Sequence, residues 1–252
     1  MTEPALVASG LTRRFGGLVA NDNVSITLEH GRVHALLGPN GAGKSTLINL
    51  LSGDLAPSAG SIRLGTREIA GLGAAQRSRL GLGRSYQKTN IFGSFTVHEN
   101  CRLAAQARRQ RPWRIFADAI ADRATNDIAD AALETTGLRS QHARLAATLS
   151  HGEQRQLEIA MVLATGARVL LLDEPLAGMG AQESARMVEL LRRLAPDHAI
   201  LLVEHDMDAV FAVADEITVM VEGRVLETGT PANIRASAAV REAYLGTEAV
   251  LA

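Results

Sequence analysis

One cysteine, Cys101, is all the 252-residue sequence contains, so neither a disulfide framework nor a cysteine-based metal site is open to it. A lone cysteine of this kind reads as a small buried apolar residue. Excess charge is missing too: 26 Lys and Arg face 27 Asp and Glu, a net charge of -1. Nucleic-acid binding usually needs a strongly basic face, and this balance predicts none. No apolar run approaches the roughly 18 residues of a membrane-spanning helix; "RVLLLDEPL" and "AILLVEH" are far shorter. The start, "MTEPALVASG", has no basic stretch and no sustained apolar core, and does not read as a signal peptide. Tandem repeats and low-complexity linkers are absent as well. These absences predict a soluble, cytosolic chain. With 46% hydrophobic residues over this length, there is enough apolar surface for one large core and a smaller satellite.

What is present changes character along the chain. Residues 5–37 read as strands separated by turns, in "ALVAS", the cleanly alternating "VSITL" and "VHALLG". From Ser45 to Ser52 the period becomes helical and stops at Gly53; "PSAG" then reads as a turn and "SIRLGTREI" as a short hairpin. Residues 97–148 are rich in Ala and Arg, with helical periodicity and few β-branched residues, which predicts a helical insertion in an α/β body. Strands then return in alternation with helices: "ARVLLLDEP", "SARMVELLRRL", "AILLV", "MDAVFAVAD" and "EITVMV". Several of these strands are apolar throughout, as in a parallel sheet covered on both faces. The one basic cluster, "RRQRPWR" at 108–114, is either a solvated connection between helices or a contact for lipid headgroups or a partner's acidic loop.

Three stretches carry chemistry. "GPNGAGKST", from Gly38 to Thr46, fits G-x-x-x-x-G-K-[ST] between a strand and a helix. Gly38, Gly41 and Gly43 let the backbone curl until several N–H groups face one anion, and the helix beginning near Lys44 adds the positive end of its dipole. Lys44 is spaced to reach β- and γ-phosphates, and the Ser45 hydroxyl to ligate Mg2+. "VLLLDEP", from Val169 to Pro175, is a buried strand ending in two carboxylates, at the place where open α/β sheets bind ligands. Alone, such an ending is equally a polar turn. With a phosphate loop in the same sheet, Asp173 is assigned to a Mg2+ shell and Glu174 to orienting or deprotonating an attacking water. "LSHGEQRQLEIA", from Leu149 to Ala160, opens on a capping box of Ser150 and Glu153 ahead of a helical pattern. It is either a helix cap and nothing more, or half of a site that another chain completes.

In order along the chain, Phe15, "GPNGAGKST", Gln87, "LSHGEQ", "VLLLDEP" and His205 resemble the nucleotide-binding subunit of an ABC transporter, over essentially the whole length. The resemblance implies an α/β fold of the P-loop NTPase (ABC ATPase) type, with a parallel-sheet core, an N-terminal antiparallel β subdomain and an inserted helical subdomain. Residues 1–252 would form one ATP-binding domain. Its α/β body and β subdomain would take 1–90 and 160–230, the helical subdomain with the signature sequence 91–159, and a C-terminal helical tail 231–252. The implied cofactors are ATP and Mg2+. ATP binding would fall to Phe15, stacked on the adenine, and to Gly38, Asn40, Gly41, Gly43, Lys44, Ser45 and Thr46. For Phe15 a place in the core is the alternative. Glu174, His205 and Gln87 match the catalytic positions: His205 is the switch histidine at the γ-phosphate, and Gln87 touches the water and shares the Mg2+ with Ser45 and Asp173. Ser150, Gly152 and Glu153 would close over the ATP held by the opposite subunit, which makes capping box and half-site one structure.

The sequence departs from the family pattern in places. His151 stands for the first Gly of the commonest signature form, LSGGQ, and Glu153 for its Gln; the Ser150 hydroxyl and Gly152 remain. Gly180 stands where most relatives place an aspartate linking the two sites, which bears on cross-talk and not on hydrolysis. Finer likeness, in "LSHGEQRQLEIA", "EPLAGMG", "EHDMDAVFAVAD" and "GTPANIRASAAVREAYLG", is to ATP-binding proteins of branched-chain amino-acid importers. That subfamily also serves other amino acids, urea and small carboxylates, and ATP-binding subunits of lipopolysaccharide export share the closing "YLG". The implied assembly is a homodimer, or a pair with a paralogous ATPase subunit, on a transmembrane permease at the inner face of the cell membrane. A solute-binding protein would serve it indirectly, and nucleic acid has no part. Ile91, Phe92 and Phe95 in "TNIFGSFTVHEN" either anchor the permease or pack the helical subdomain. An ABC-type ATPase of ribosomes or DNA would carry duplicated cassettes, a long coiled-coil insert or a basic face, and the sequence has none. The joint presence of Lys44, Asp173 and Glu174 argues against a binding module that does not hydrolyse.

Overall fold

The computed structural model describes residues 3–109 and 121–248. Period-two patterning gives the first strands, β1 (Leu6–Phe15) and β2 (Leu18–Leu28), paired antiparallel with Leu6 opposite Leu28. Next come β3 (Arg32–Leu37), helix α1 (Lys44–Ser52), the hairpin β4 (Ala59–Leu64) and β5 (Arg67–Glu68), α2 (Ala74–Arg79) and β6 (Leu82–Arg84). Helices α3 (Val97–Arg109), α4 (Arg123–Thr136) and α5 (His151–Ala164) follow. The chain then alternates through β7 (Val169–Asp173), α6 (Ala181–Leu194), β8 (Ala199–Val203), α7 (Met207–Val213) and β9 (Glu216–Val221). It finishes with β10 (Arg224–Gly229), α8 (Pro231–Ala236) and α9 (Ala238–Glu248).

These strands form two sheets. The antiparallel one runs β2-β1-β4-β5; the other runs β10-β9-β3-β8-β7-β6, parallel from β9 to β6 with β10 antiparallel on its edge. Alternation along the central strands sorts the core. Val33, Ala35, Leu170, Leu172, Ile200 and Leu202 pack with the apolar faces of α6 and α7, while Leu36, Leu171, Leu201 and Val203 pack with α1 and the antiparallel sheet. At nine residues α1 is too short to persist alone. It forms because Leu47, Ile48, Leu50 and Leu51 are fully buried between the two sheets.

A third cluster gathers α3, α4 and α5 around Val97, Leu133 and Leu157. Cys101 lies fully buried in it, as expected, and burial pushes its thiol up to about 12. α5 serves two cores at once: Ile159 and Val162 face the main sheet, Leu157, Ala160 and Ala164 the helical cluster. Of the basic stretch at 108–114, residues 110–114 lie outside the described residues. β6, β10 and α2 have no counterpart in the sequence reading. β6 is only three residues long, and its Gly83 sits so close under α5 that a Cβ would lie 2.4 Å from Val162 Cγ1. β10 is a half-exposed edge strand whose alternation breaks at a bulge between Val225 and Glu227.

One buried residue of β3 gives the fold a pH response. His34 is 4% exposed, with Nε2 2.8 Å from Thr218 Oγ1 and Nδ1 3.2 Å from the carboxylate of Glu216, which is itself partly open to solvent. Burial lowers the imidazole pKa to about 4, against a smaller opposing hydrogen bond at the Thr27 backbone. The unfolded chain, with an ordinary value near 6.5, therefore binds more protons than the folded one between those limits. Stability is expected to be complete above about pH 6.5 and to fall on acidification towards pH 4, by up to roughly 3 kcal/mol. Urea midpoints at pH 7.5 and 5 measure it. His34→Gln should flatten the dependence, and an unchanged slope in that variant would assign the effect elsewhere.

Candidate nucleotide site

Strand order brings the chemistry-bearing segments together. In the run β3-β8-β7 the register sets Leu36 beside Val203 and Val203 beside Asp173, so three strands end level at their carboxyl edge. The phosphate loop leaves β3 there, His205 leaves β8, Asp173 and Glu174 leave β7, and Gln87 leaves β6 one strand further out.

The loop from Gly38 is forced by close approach. A Cβ on Gly38, at φ 154°, would lie 2.3 Å from the Met220 carbonyl oxygen, and one on Gly43, at φ 95°, 2.5 Å from that of Ala20. Gly43 is the N-cap of α1 and offers no side-chain cap, and the first turn holds no acidic residue. The leading N–H groups of the helix thus have no anionic side chain at hand, an arrangement suited to phosphate. Asn40, Gly41 and Thr46 line the same loop and first turn, with the Ser45 side chain exposed beside them. Lys44 Nζ donates to the carbonyls of Gly38, at 2.5 Å, and Pro39, at 3.0 Å, bracing the loop with two of its three protons. Burial lowers the Lys44 pKa, while the carboxylates of Glu174 and Asp173 pull it back up. Buried Asn21, which the sequence reading missed, donates from Nδ2 to the Gly43 carbonyl at 3.2 Å and ties β2 to the helix start.

At the end of β7, Asp173 is buried and Glu174 half-buried. Glu174 has a left-handed backbone, φ 49°, held by its N–H donating to the Val203 carbonyl at 2.8 Å. Gln87 Nε2 donates to Glu174 Oε2 at 3.0 Å, so two residues 87 positions apart meet in front of the loop. Two further side chains escaped the sequence reading. Arg84 donates to Asp173 Oδ2 at 3.2 Å and also to Asn49 Oδ1 and Asp54 Oδ2, locking the carboxylate to α1. Burial raises the Asp173 pKa and Arg84 opposes that rise. Glu204, 1% exposed, accepts from the Leu176 N–H at 2.8 Å and from the His205 N–H at 3.3 Å, joining the turn after Glu174 to the end of β8. Burial pushes its carboxyl up. His205 itself is mostly exposed; Glu204 is the neighbour of its ring, 3.9 Å from Nδ1.

The capping box is formed at the start of α5. Glu153 N–H donates to Ser150 Oγ at 3.3 Å, and Ser150 N–H to Glu153 Oε2 at 2.8 Å. Burial raises the Glu153 pKa, but Gln141, the Ser150 N–H and Arg144 together bring it below its ordinary value. The Ser150 hydroxyl also donates to Glu183 Oε1 of α6 at 3.2 Å, and a Cβ on Gly152 would lie 2.8 Å from the same oxygen. Ser150 and Gly152 sit far along the chain from Lys44, and no hydrogen bond joins them to the phosphate loop within this protomer among the described residues.

Phe15 is 43% exposed, which removes the core alternative; the Arg13 guanidinium covers one ring face at 4.6 Å from the centroid. Phe92 and Phe95 stack with centroids 5.4 Å apart, 48% and 40% exposed, while Ile91 packs on the helical cluster. Together with exposed Leu145, paired through the Thr96 bridge, they form an apolar patch on the helical side.

Known proteins match this outline. The family described as ABC transporter matches residues 21–177, and the family described as branched-chain amino acid ATP-binding cassette transporter matches residues 224–250. The chain is 40% identical over 255 residues to the high-affinity branched-chain amino acid transport ATP-binding protein LivG of Salmonella typhimurium, covering 98% of this chain and 99% of that protein. It is 39% identical over 254 residues, at the same coverage, to BraF of Pseudomonas aeruginosa, which bears the same description. Among solved structures, the ADP conformation of MJ1267, an ATP-binding cassette of an ABC transporter, has a TM-score of 0.88 at 28% identity, covering 98% of this chain and 100% of that one.

Proposed function

Because the chain belongs to the ABC transporter ATP-binding family and is an ATP-hydrolysing transporter subunit, we propose that it powers import of branched-chain amino acids through a separate permease. The match of the tail at 224–250, together with full-length identity to LivG and BraF, supports that substrate class. For the chemistry, one observation carries the reading: Gln87 and Glu174 meet at 3.0 Å in front of the phosphate loop. In this reading Glu174 takes the proton of an attacking water, Gln87 orients that water, and His205 closes on the γ-phosphate from the end of β8. Gly38, Asn40, Gly41, Gly43, Lys44, Ser45 and Thr46 bind the phosphates, and Phe15 offers its free ring face to the adenine.

The donor set suits Mg2+. The Ser45 hydroxyl, the Gln87 side-chain carbonyl and the Asp173 carboxylate are hard oxygen ligands. Phosphate oxygens and water would complete the shell. When bound, Mg2+ supplies charge neutralisation at the β- and γ-phosphates. Ser150, Gly152 and Glu153 act in trans on the ATP of a second subunit, identical or paralogous. No helix among the described residues is long and apolar enough to cross a membrane, so a permease provides the path; Phe92 and Phe95 offer it an anchor on the inner face of the membrane. A solute-binding protein delivers the cargo. Reconstituted with its permease and binding protein, the subunit is expected to drive ATP-dependent uptake of leucine, isoleucine or valine into vesicles. ATP-dependent uptake of urea or a small carboxylate in their place would sink the substrate assignment.

A further inference from the structure

Beyond Ser85, whose N–H still bonds the Leu171 carbonyl, the chain leaves the sheet edge. Among the described residues, 86–91 make no backbone-to-backbone hydrogen bond. Their backbone is held by two side chains of α5, while the Gln87 side chain reaches the other way, to Glu174. Arg155 Nη1 donates to the Tyr86 carbonyl at 2.6 Å and Nη2 to that of Gln87. Glu158 Oε1 accepts from the Tyr86 N–H at 3.1 Å, and its Oε2 accepts from Arg155 Nη1 at 3.1 Å. Both side chains are 5% exposed. Just downstream, buried Asn100 of α3 grips Phe92 at N–H and carbonyl, at 2.8 and 3.1 Å. Residues 86–92 are therefore fastened at both ends to the helical cluster, although β6 delivers them.

Stability alone is a poor reason for such a pair. A buried ion pair is often no better than an apolar pair of the same volume, because desolvation offsets the attraction. Arg155 Nε moreover is buried without a hydrogen-bond partner. What the pair does have is direction, since apart from the bond between the two side chains its hydrogen bonds end on the backbone of Tyr86, Gln87 and Asn90. Arg155 and Glu158 also lie on the helix that Ser150 caps, about 7 and 12 Å along its axis from the cap.

We propose that Arg155 and Glu158 are positioning residues that bind the Gln87 segment to the signature helix, so that displacement of the apolar patch by the permease moves Gln87 and Ser150 as one body. The inference rests on the proposed function, because it assumes that a permease docks at Phe92 and Phe95. Moving as one body, the two residues change their distance to Glu174 in this protomer and to the partner's nucleotide in the same step. Without the clamp, the loop shifts alone.

The test uses the transporter assembled with its permease, carrying Arg155→Met and Glu158→Leu together so that no buried charge is left single. Amide exchange at residues 86–90 is expected to accelerate in the variant. The ratio of permease-stimulated to basal ATPase should fall roughly 5-fold or more, with the KM for ATP within a factor of about two. Arg155→Lys, which keeps the charge beside Glu158, should restore part of the ratio and guards against a double variant that folds poorly. A full ratio despite faster exchange would reduce the pair to a packing element and overturn the inference. Unchanged exchange would overturn it as well. If the wild-type transporter has no permease-dependent ATPase, the proposed function falls first, and this inference with it.

Discussion

Replacing Glu174 by glutamine is expected to lower ATP turnover by roughly 10²–10⁴-fold while leaving ATP affinity nearly intact. Glutamine has almost the same shape, so it keeps an acceptor oxygen for Gln87 Nε2, whose bond to Glu174 is 3.0 Å long. What it loses is the basic carboxylate, the one property that water activation needs. Affinity should survive because, in the proposed reading, the phosphate contacts come from the Gly38 loop, the start of α1 and Lys44, and Glu174 supplies none of them. Turnover and nucleotide affinity are to be measured on the same preparation. Near-normal turnover would remove Glu174 from the chemistry and leave its turn as a structural bend.

The second large effect concerns the signature. Ser150 lies at the cap of α5, and within the protomer its hydroxyl bonds to Glu183 and Glu153, not to the phosphate loop. If it serves the opposite subunit, a Lys44→Ala chain and a Ser150→Arg chain should rescue each other. Each homodimer lacks one half of both sites. A mixed dimer pairs the intact Lys44 of one chain with the intact Ser150 of the other, and its second site carries both lesions. With random pairing and independent sites, up to ~25% of wild-type ATPase should return, as expected for a two-fold symmetric assembly. Strict coupling between sites would abolish turnover even with correct geometry, so occupancy is the sharper readout. On a Glu174→Gln background, tagged mixed dimers should retain ATP at one site each. Retention that follows Lys44 and ignores the partner's Ser150 would leave the stretch a helix cap, whose loss alone costs about 1 kcal/mol.

Local chemistry made much of this legible in the sequence. The phosphate loop, the strand ending in Asp173 and Glu174 and the Ser150–Glu153 box are each written in contiguous residues, where spacing alone dictates geometry. Gln87, His205 and Phe15 are single residues without a local pattern, and only the family resemblance picked them out. The structure adds that Phe15 is exposed and that Gln87 reaches Glu174, but leaves His205 pointing mainly to solvent. Arg84, Glu204 and the Arg155–Glu158 pair were missed because their partners are distant in sequence: Arg84 meets Asp173 across 89 positions and Arg155 meets Tyr86 across 69. Nothing in a linear pattern separates such an arginine from a solvated one. β6 and β10 were missed for a different reason, since a three-residue strand and a half-exposed edge offer too little periodicity to read.

Glu174 occupies a left-handed backbone at φ 49°, where the Cβ of any L-residue crowds the following carbonyl at a cost of about 1 kcal/mol; glycine escapes the clash and asparagine tolerates it. Most ways of relaxing this turn also delete its carboxylate. If Glu174 activates the water as proposed, a substitution that relaxes this turn also removes the carboxylate, so local stability and ATP turnover are opposed at this one position. A lineage released from the need to hydrolyse ATP, yet still needing a folded subunit, would be drawn to substitute here early. Under the proposed mechanism the backbone angle at Glu174 thus sets how far this turn can be stabilised before hydrolysis is given up.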